Sequence, residues 1–587
     1  MRLWHHLHRR HRQFGLLMVL MLVSAFAEVV SLGAVLPFIG ILVAPEQVFN
    51  YPIVTDVVLS WGITSADQLV LPLTVAFVAA ALIAGAIRIL LLWANIRLTF
   101  AAGSDLSIEV YRRTLYQPYS VHVSRNTSQV ISGIGKVNSA VNVLSQLMTL
   151  ISSTVLMVAI MLTLLAIDPM VASVAAVGFG ASYALIAWNA RRRLIRNSQR
   201  VAHEQTQVVK ALQEGLGGIR DVLLDGTQPV YCDIYRQSDH PLRRANGKNN
   251  FIGQSPRHIM EALGMVLIAA LAYALSRQVG GIATALPVLG ALALGAQRLI
   301  PALQQAYGAW ATIAGNHGSL ADAISLLDQP LPMDLLQPAP APLLFKDVIR
   351  FNAVRFRYAS DSPWVLDGLN ITIPKGARVG FVGSTGSGKS TMLDLLMGLL
   401  MPTEGELLVD GQSINGTRVR AWQKTIAHVP QSIYLADTTL AGNIAFGIPR
   451  NAIDLDRVQE AARQAQIADF IESSKEGYQA HVGERGIRLS GGQRQRIGIA
   501  RALYKQASVL VFDEATSALD NATEQSVINA IEGLDSDLTM LFIAHRLSTV
   551  QRCDTIVELE NGQVVAQGTY EQLLECSHSF RDMVRAI

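Results

Sequence analysis

The chain has 587 residues, of which 50% are hydrophobic and 16% are charged, and its mean hydropathy is +0.32. Typical soluble domains carry about 25% charged residues, so a large part of this chain is expected to lie in lipid. The net charge of +3 is too small to indicate a nucleic acid as partner. The 3 cysteines lack metal-site spacing, which argues against a zinc site and a disulfide framework.

Long apolar segments fill the first half of the chain. A helix needs roughly 20 residues to cross about 30 Å of hydrocarbon. The first run is too long for a signal peptide, and we interpret it as an uncleaved span. The sequence therefore predicts an all-α polytopic membrane domain over residues 1–328. Its six spans are predicted at about 15–43, 69–98, 141–167, 170–190, 256–276 and 283–313.

Basic clusters indicate which ends of the spans are cytoplasmic. They lie before the first span at residues 9–12, after the second at residues 112–113, and after the fourth at residues 191–196. Positive residues are enriched in cytoplasmic loops. The N-terminus and the second half of the chain are therefore expected to be cytoplasmic.

Glu28, Arg88 and Arg298 are the clearest examples of charged residues inside the predicted spans. Intramembrane charges usually face a cavity or a partner, and guanidinium groups suit phosphate oxygens. Arg88 and Arg298 are therefore candidate ligands of a cargo that carries phosphate or pyrophosphate. The alternative is structural, with Arg88 paired to Glu28 and Arg298 reaching the cytosolic half of its helix.

A proline-rich linker is predicted at residues 329–347, because closely spaced prolines favour a stiff extended chain. Residues 348–587 follow as an α/β nucleotide-binding domain. An apolar strand at residues 379–382 leads there into a glycine-rich loop whose backbone N–H groups can surround phosphates. The predicted phosphate-binding residues are Gly383, Ser384, Thr385, Gly386, Ser387, Gly388, Lys389, Ser390 and Thr391.

The side chains of this loop complete a site for ATP and Mg²⁺. Lys389 supplies a charge to the phosphates and Ser390 a hydroxyl to the metal. A second apolar strand, at residues 509–512, ends in Asp513 and Glu514. Asp513 is expected to hold Mg²⁺, and Glu514 to act as the general base for the attacking water.

Together these motifs resemble those of the ATP-binding cassette (ABC) transporters, and the resemblance covers essentially the whole chain. It implies that Tyr358 stacks on adenine and that Gln431 contacts Mg²⁺ and the attacking water. It also implies that His545 contacts the γ-phosphate and that Asp520 lies in the loop between two cassettes.

The resemblance further identifies residues 489–493 as the signature that clamps the γ-phosphate of a partner cassette. Its predicted ATP contacts are Ser490, Gly491, Gly492 and Gln493. A helix that begins here would point its N-terminus at the phosphate. Because the chain has one cassette, the resemblance implies a homodimer with two complete ATP sites.

Residues 482–486 resemble a strip found in exporters of this family, which favours export over nutrient import. Residues 429–447 and 217–226 resemble the lipid-linked oligosaccharide flippases of bacterial protein glycosylation. That resemblance implies a polyprenyl-pyrophosphate glycan as cargo, flipped to the outer face of the inner membrane. Other lipids, lipid A-type glycolipids, drugs and peptides remain as alternative cargoes.

Overall fold

The structure, a computed structural model, describes residues 2–34, 70–167, 169–276, 281–332, 337–338, 340–513, 537–543 and 550–586. The chain divides into two compact units. One, here called the membrane unit, comprises Met1–Gln117 and Arg125–Leu331. The other, the cassette unit, comprises Pro118–Ser124 and Pro332–Ile587. A short segment from the first half of the chain thus belongs to the cassette unit.

The described residues of the first half of the chain form helices joined by short turns. A 3₁₀ turn at His8–Arg10 separates the first two helices. In chain order the helices are α1 (Arg2–His6), α2 (His11–Gly33), α3 (Val70–Leu115), α4 (Tyr119–Ser124), α5 (Thr127–Gly135), α6 (Val137–Ile167), α7 (Pro169–Gly217), α8 (Ile219–Leu224), α9 (Gln228–Ser276), α10 (Gly281–Gly315) and α11 (His317–Leu327).

Within the described part of the chain, 3 helical segments are long and apolar enough to cross a membrane. They are His8–Ser31, Val70–Leu115 and Thr127–Leu165. The other three predicted spans fall in α7, α9 and α10, where part of the side chains lie outside the description. Helix α7 has 49 residues and is therefore about 74 Å long, more than twice the hydrocarbon thickness.

Large side chains hold the membrane unit together. Phe14 and Leu17 of α2 are buried in one cluster with Leu98 and Leu106 of α3.

A buried lysine also holds helices of this unit together. Lys136 is only 2% exposed and lies between α5 and α6. Its ammonium group contacts α7 and α11, so this one cation joins several helices.

The cassette unit contains two sheets among its described residues. One has the strand order β2-β1-β4-β5 and the other β10-β9-β3-β8-β7-β6. The second sheet is parallel from β9 to β6, and β10 closes its edge in antiparallel pairing. The strands are β1 (Val348–Phe356), β2 (Leu366–Pro374), β3 (Arg378–Val382), β4 (Glu404–Val409), β5 (Gln412–Ser413), β6 (Ile426–Val429), β7 (Val509–Asp513), β8 (Thr539–Ile543), β9 (Thr555–Glu560) and β10 (Gln563–Gly568).

Helices pack on these sheets and fix the loops between them. Trp422 is fully buried, and its indole Nε1 donates to the Leu396 carbonyl at 2.6 Å. That bond ties two helices to each other beside the parallel sheet. The described helices are α12 (Lys389–Leu396), α13 (Thr417–Thr425), α14 (Leu440–Ile444), α15 (Leu455–Gln464), α16 (Ala468–Glu472), α17 (Gly491–Tyr504), α18 (Tyr570–Cys576) and α19 (His578–Ala586).

Candidate functional site

The glycine-rich loop between β3 and α12 has a backbone that other residues could not adopt without strain. Gly383 has φ +146°, and a Cβ there would lie 2.1 Å from the Leu559 carbonyl oxygen. Gly388 has φ +99°, and its Cβ would meet the Leu366 Cδ2 atom at 2.6 Å. The absence of these side chains lets neighbouring backbone close in on the loop, so its shape is set before a ligand binds.

Lys389 places a buried ammonium group against this loop. The residue is 8% exposed, and its Nζ donates to the carbonyls of Gly383 at 2.8 Å and Ser384 at 3.0 Å. Ser390, exposed in the first turn of α12, lies beside the helix N-terminus, which favours anions. The loop, the cation and the helix end together fit the phosphates of ATP.

Tyr358 lies beside the loop and presents its ring to solvent. It is 55% exposed, its ring edge packs on Phe356 with centroids 5.0 Å apart, and its hydroxyl lies 3.3 Å from the Thr391 Oγ1 atom. This contact joins the tyrosine to the phosphate-loop helix. The position fits an aromatic that stacks on a nucleotide base.

Asp513 ends β7 near a second carboxylate. Burial and, to a smaller extent, the negative charge of Asp513 raise the pKa of Asp394, on α12, to about 6. Sequence reasoning missed Asp394, although it follows Ser390 by one helical turn and so shares its face. The Ser390 hydroxyl, the Asp513 carboxylate and the Gln431 amide are hard oxygen donors, and this donor set fits Mg²⁺.

The signature begins α17 with a capping box. The Ser490 Oγ atom accepts a hydrogen bond from the backbone N–H of Gln493 at 3.2 Å. The Gln493 Oε1 atom accepts one from the backbone N–H of Ser490 at 2.8 Å. Gly491 is exposed and Gly492 is half-buried in the first turn. The helix terminus is thus rigid while its first residues stay accessible to an anion.

The segment after Gln431 packs closely on the signature helix. A Cβ on Gly498 of α17 would lie 2.4 Å from the Ile433 Cδ1 atom. Arg501, one turn further on, donates to the Asn443 carbonyl at 3.0 Å. The segment that follows Gln431 is therefore in direct contact with α17. In the sequence, the one sign of this contact is Asn443, a polar residue within the otherwise apolar helix α14.

Some of the predicted site residues lie outside the part of the chain that the structure describes. Glu514, Asp520 and His545 lie outside the described residues, as does the side chain of Arg298 on α10. Arg88 is described, and its Nη2 atom lies 2.8 Å from the Glu28 Oε2 atom. The carboxylate side chain is 4% exposed and the arginine side chain 47%. The structural alternative considered for Arg88 is thus present in the fold.

Comparisons with known proteins agree with this geometry. A family model described as ABC transporter matches residues 366–517. An ATP-dependent lipid A-core flippase of Chromohalobacter salexigens is 34% identical over 384 residues, which is 65% of this chain and 66% of that protein. The protein of the same name from Cupriavidus pinatubonensis is 30% identical over 491 residues, covering 82% and 81% of the two chains.

A solved structure also matches nearly the whole chain. It is that of a bacterial Atm1-family ABC exporter with ATP bound, with TM-score 0.80, 26% identity, and coverage of 99% of this chain and 98% of that one. The match confirms the predicted fold class, a helical membrane domain followed by an α/β cassette. The chain belongs to the ABC transporter family and is an ATP-driven multi-pass membrane exporter.

Proposed function

We propose that the chain works as a homodimer that flips a phosphorylated glycolipid from the cytoplasmic to the outer face of the bacterial inner membrane. The first candidate cargo is a polyprenyl-pyrophosphate oligosaccharide. The exposure of Arg88 is the observation that supports a phosphorylated cargo. Its guanidinium stays half-exposed, although it pairs with the buried carboxylate of Glu28. A single carboxylate leaves further N–H donors of the guanidinium for a phosphate oxygen.

A lipid A-core glycolipid is the second candidate cargo. The names of the curated relatives favour it, since both proteins compared above are called lipid A-core flippases. The two candidates share phosphate and saccharide and differ in the lipid that carries them. Arg88, and Arg298 with it, would serve either cargo, so the distinction requires a transport measurement.

Homodimer formation is supported by the arrangement of the short helices. Helix α4 groups with the cassette unit, whereas α8 lies in the membrane unit. On α8, Leu223 is 61% exposed and Leu224 is 81% exposed. A second copy would supply a cassette to cover these leucines and a signature to complete each ATP site. The basic clusters support a cytoplasmic location for the N-terminus and both cassettes.

The residues of each ATP site divide the chemistry between them. Lys389 and the loop amides would hold the phosphates, with Tyr358 on the base. Ser390, Gln431 and Asp513 would hold Mg²⁺, which neutralises phosphate charge when bound. Glu514 would take a proton from the attacking water. His545 would contact the γ-phosphate, and the partner's signature and the loop at Asp520 would complete the site.

Coupling to the membrane helices is supported by Tyr119 on α4. Burial raises the pKa of Tyr119, and the nearby charges of Asp394 and Tyr358 raise it further. Helix α4 therefore lies close to the residue proposed to stack on the base and to the phosphate-loop helix. Since α3 and α5 flank α4 in the chain, nucleotide binding has a short route to two membrane helices.

The test is ATP-dependent translocation in proteoliposomes that contain either the polyprenyl-pyrophosphate oligosaccharide or the lipid A-core glycolipid. Glu514→Gln should bind ATP and dimerise without turnover. Arg88→Ala should slow translocation of the preferred cargo, while the control Arg97→Ala, an exposed arginine on the same helix, should not. Translocation of neither lipid, with intact ATPase activity, would overturn the cargo proposal. Normal hydrolysis by Glu514→Gln would overturn the assigned base.

A further inference from the structure

A cavity lies within the membrane unit, and neither Arg88 nor any residue proposed for the ATP site lines it. Its volume is about 720 Å³, and its walls come from α5, α7 and α11. Cavities of this size hold small organic molecules. The proposed function uses none of the residues that line it.

The cavity wall is rich in cationic and amide groups. Arg125, His203 and His317 are exposed at the wall and form no ion pair among the described residues. Arginine is permanently charged, and imidazoles and amides donate hydrogen bonds. Gln329 also lines the cavity, is 5% exposed, and has a buried Oε1 atom without a hydrogen-bond partner. A rotation of the Gln329 side chain toward the cavity would let a hydroxyl group of an occupant satisfy this acceptor.

The one acidic residue lining the cavity is already neutralised. Asp322 accepts from Lys136 at 2.6 Å, and the same ammonium group donates to Thr206 Oγ1 at 2.9 Å and to the Ala202 carbonyl at 2.7 Å. All three ammonium protons are thereby used, which holds the walls in place. The charge that remains for an occupant comes from Arg125, so the cavity suits an anion.

The position of the cavity along α7 separates it from the lipid. Thr206 lies 16 residues beyond residue 190, the predicted end of the fourth span. At 1.5 Å per residue this is about 24 Å, whereas the headgroup layer of one leaflet is only about 5–8 Å thick. An occupant at this distance from the membrane is therefore a soluble molecule rather than a lipid headgroup.

The geometry points to a binding site in this cavity for a soluble, phosphorylated sugar. Arg125 and the two histidines receive the phosphate, and the amide groups, including Gln329, receive the hydroxyls. This site is distinct from the proposed cargo site and does not depend on which lipid is transported.

The experiment uses the full chain in nucleotide-free nanodiscs of neutral lipid and titrates glucose 6-phosphate by calorimetry. Unphosphorylated glucose and inorganic phosphate test the two halves of the ligand. The double variant Arg125→Ala/His203→Ala removes charge and donors, and Ala321→Phe fills the cavity without changing charge. Arg196→Ala removes an exposed arginine of α7 outside the cavity wall and is the matched control.

We expect saturable binding that is about tenfold weaker in the double variant and similarly weakened by Ala321→Phe, since a lost charged hydrogen bond is worth this much or more. Arg196→Ala should bind as the native chain does. Absent binding, or equal binding by all variants, overturns the site. Glucose 6-phosphate binding no tighter than that of phosphate alone overturns the sugar assignment. Loss of binding in nanodiscs of anionic lipid would instead assign the cavity to headgroups.

Discussion

The cassette unit and the membrane unit hold their buried cations in different ways. In the cassette, Lys389 is held by carbonyl groups of its own loop, five and six residues earlier. In the membrane unit, the buried Lys136 pairs with Asp322, 186 residues away, and the buried carboxylate of Glu28 pairs with the half-exposed Arg88 on another helix. A site built from local backbone can be identified in a continuous stretch of sequence. A site built from distant side chains becomes visible only in the fold.

The largest expected effect is at the local site. Lys389→Ala removes the one side-chain cation that the described loop directs at the phosphates. We expect ATP turnover to fall by about 10²–10³-fold, the usual effect of losing one electrostatic contact to the transition state. Lys424→Ala, near the end of α13, is the control and should leave turnover unchanged. ATPase rates of purified protein in nanodiscs decide this, and equal rates for both variants would contradict the assigned role.

Substitutions of the two partners of the Lys136–Asp322 ion pair should differ in how much they lower the stability of the membrane unit. Asp322→Asn leaves the Lys136 charge buried without a counter-charge, and such losses destabilise by about 3 kcal/mol or more. Lys136→Met leaves Asp322, whose side chain is 48% exposed and can be solvated. We therefore expect a larger fall in Tm for Asp322→Asn than for Lys136→Met. Thermal unfolding in detergent measures both, and the reverse order would show that the pair is not held as the structure has it.

Much of the fold follows from the sequence, because hydropathy and loop motifs are local signals. The helical first half and the strand, loop and helix around Gly383 occur where the sequence predicts them. Helix α3 continues to Leu115, past the end of the second predicted span at residue 98, because the polar residues that follow the apolar run also permit a helix.

The candidate site was only partly predictable, because motifs are local signals and some of its contacts join distant parts of the chain. The loop glycines, Lys389 and Ser490 belong to continuous motifs. Asp394 gains its importance from a strand that begins more than a hundred residues later, and no local pattern signals that approach. Tyr119 likewise approaches Tyr358 only because a helix from the first half of the chain groups with the cassette.

Two glycines of the phosphate loop allow a finer test of local backbone control. Gly383→Ala combines a strained φ with a Cβ 2.1 Å from a carbonyl oxygen, whereas Gly386, at φ +85°, has open space around its Cβ position. Strain of this kind is worth about 1–3 kcal/mol, so ATP affinity should fall about tenfold or more for Gly383→Ala. Gly386→Ala should lose less, because it carries strain alone. Fluorescent ATP titration compares them, and equal losses would mean that the close approach is unimportant.

The smallest effect concerns cysteine reactivity, which reports on both units without altering either. Burial raises the pKa of the Cys553 thiol to about 12, so this cysteine is almost entirely protonated near pH 7.5. Cys232 in the membrane unit and Cys576 in the cassette unit are exposed. Maleimide followed by peptide mass spectrometry should label the two exposed thiols in the native protein and Cys553 only after denaturation. The Cys553 sulfur packs against β3, since it lies 3.0 Å from the Cβ position of Gly380 on that strand. Labelling of Cys553 before denaturation would therefore show that β3 and its neighbours open more readily than the packed sheet implies.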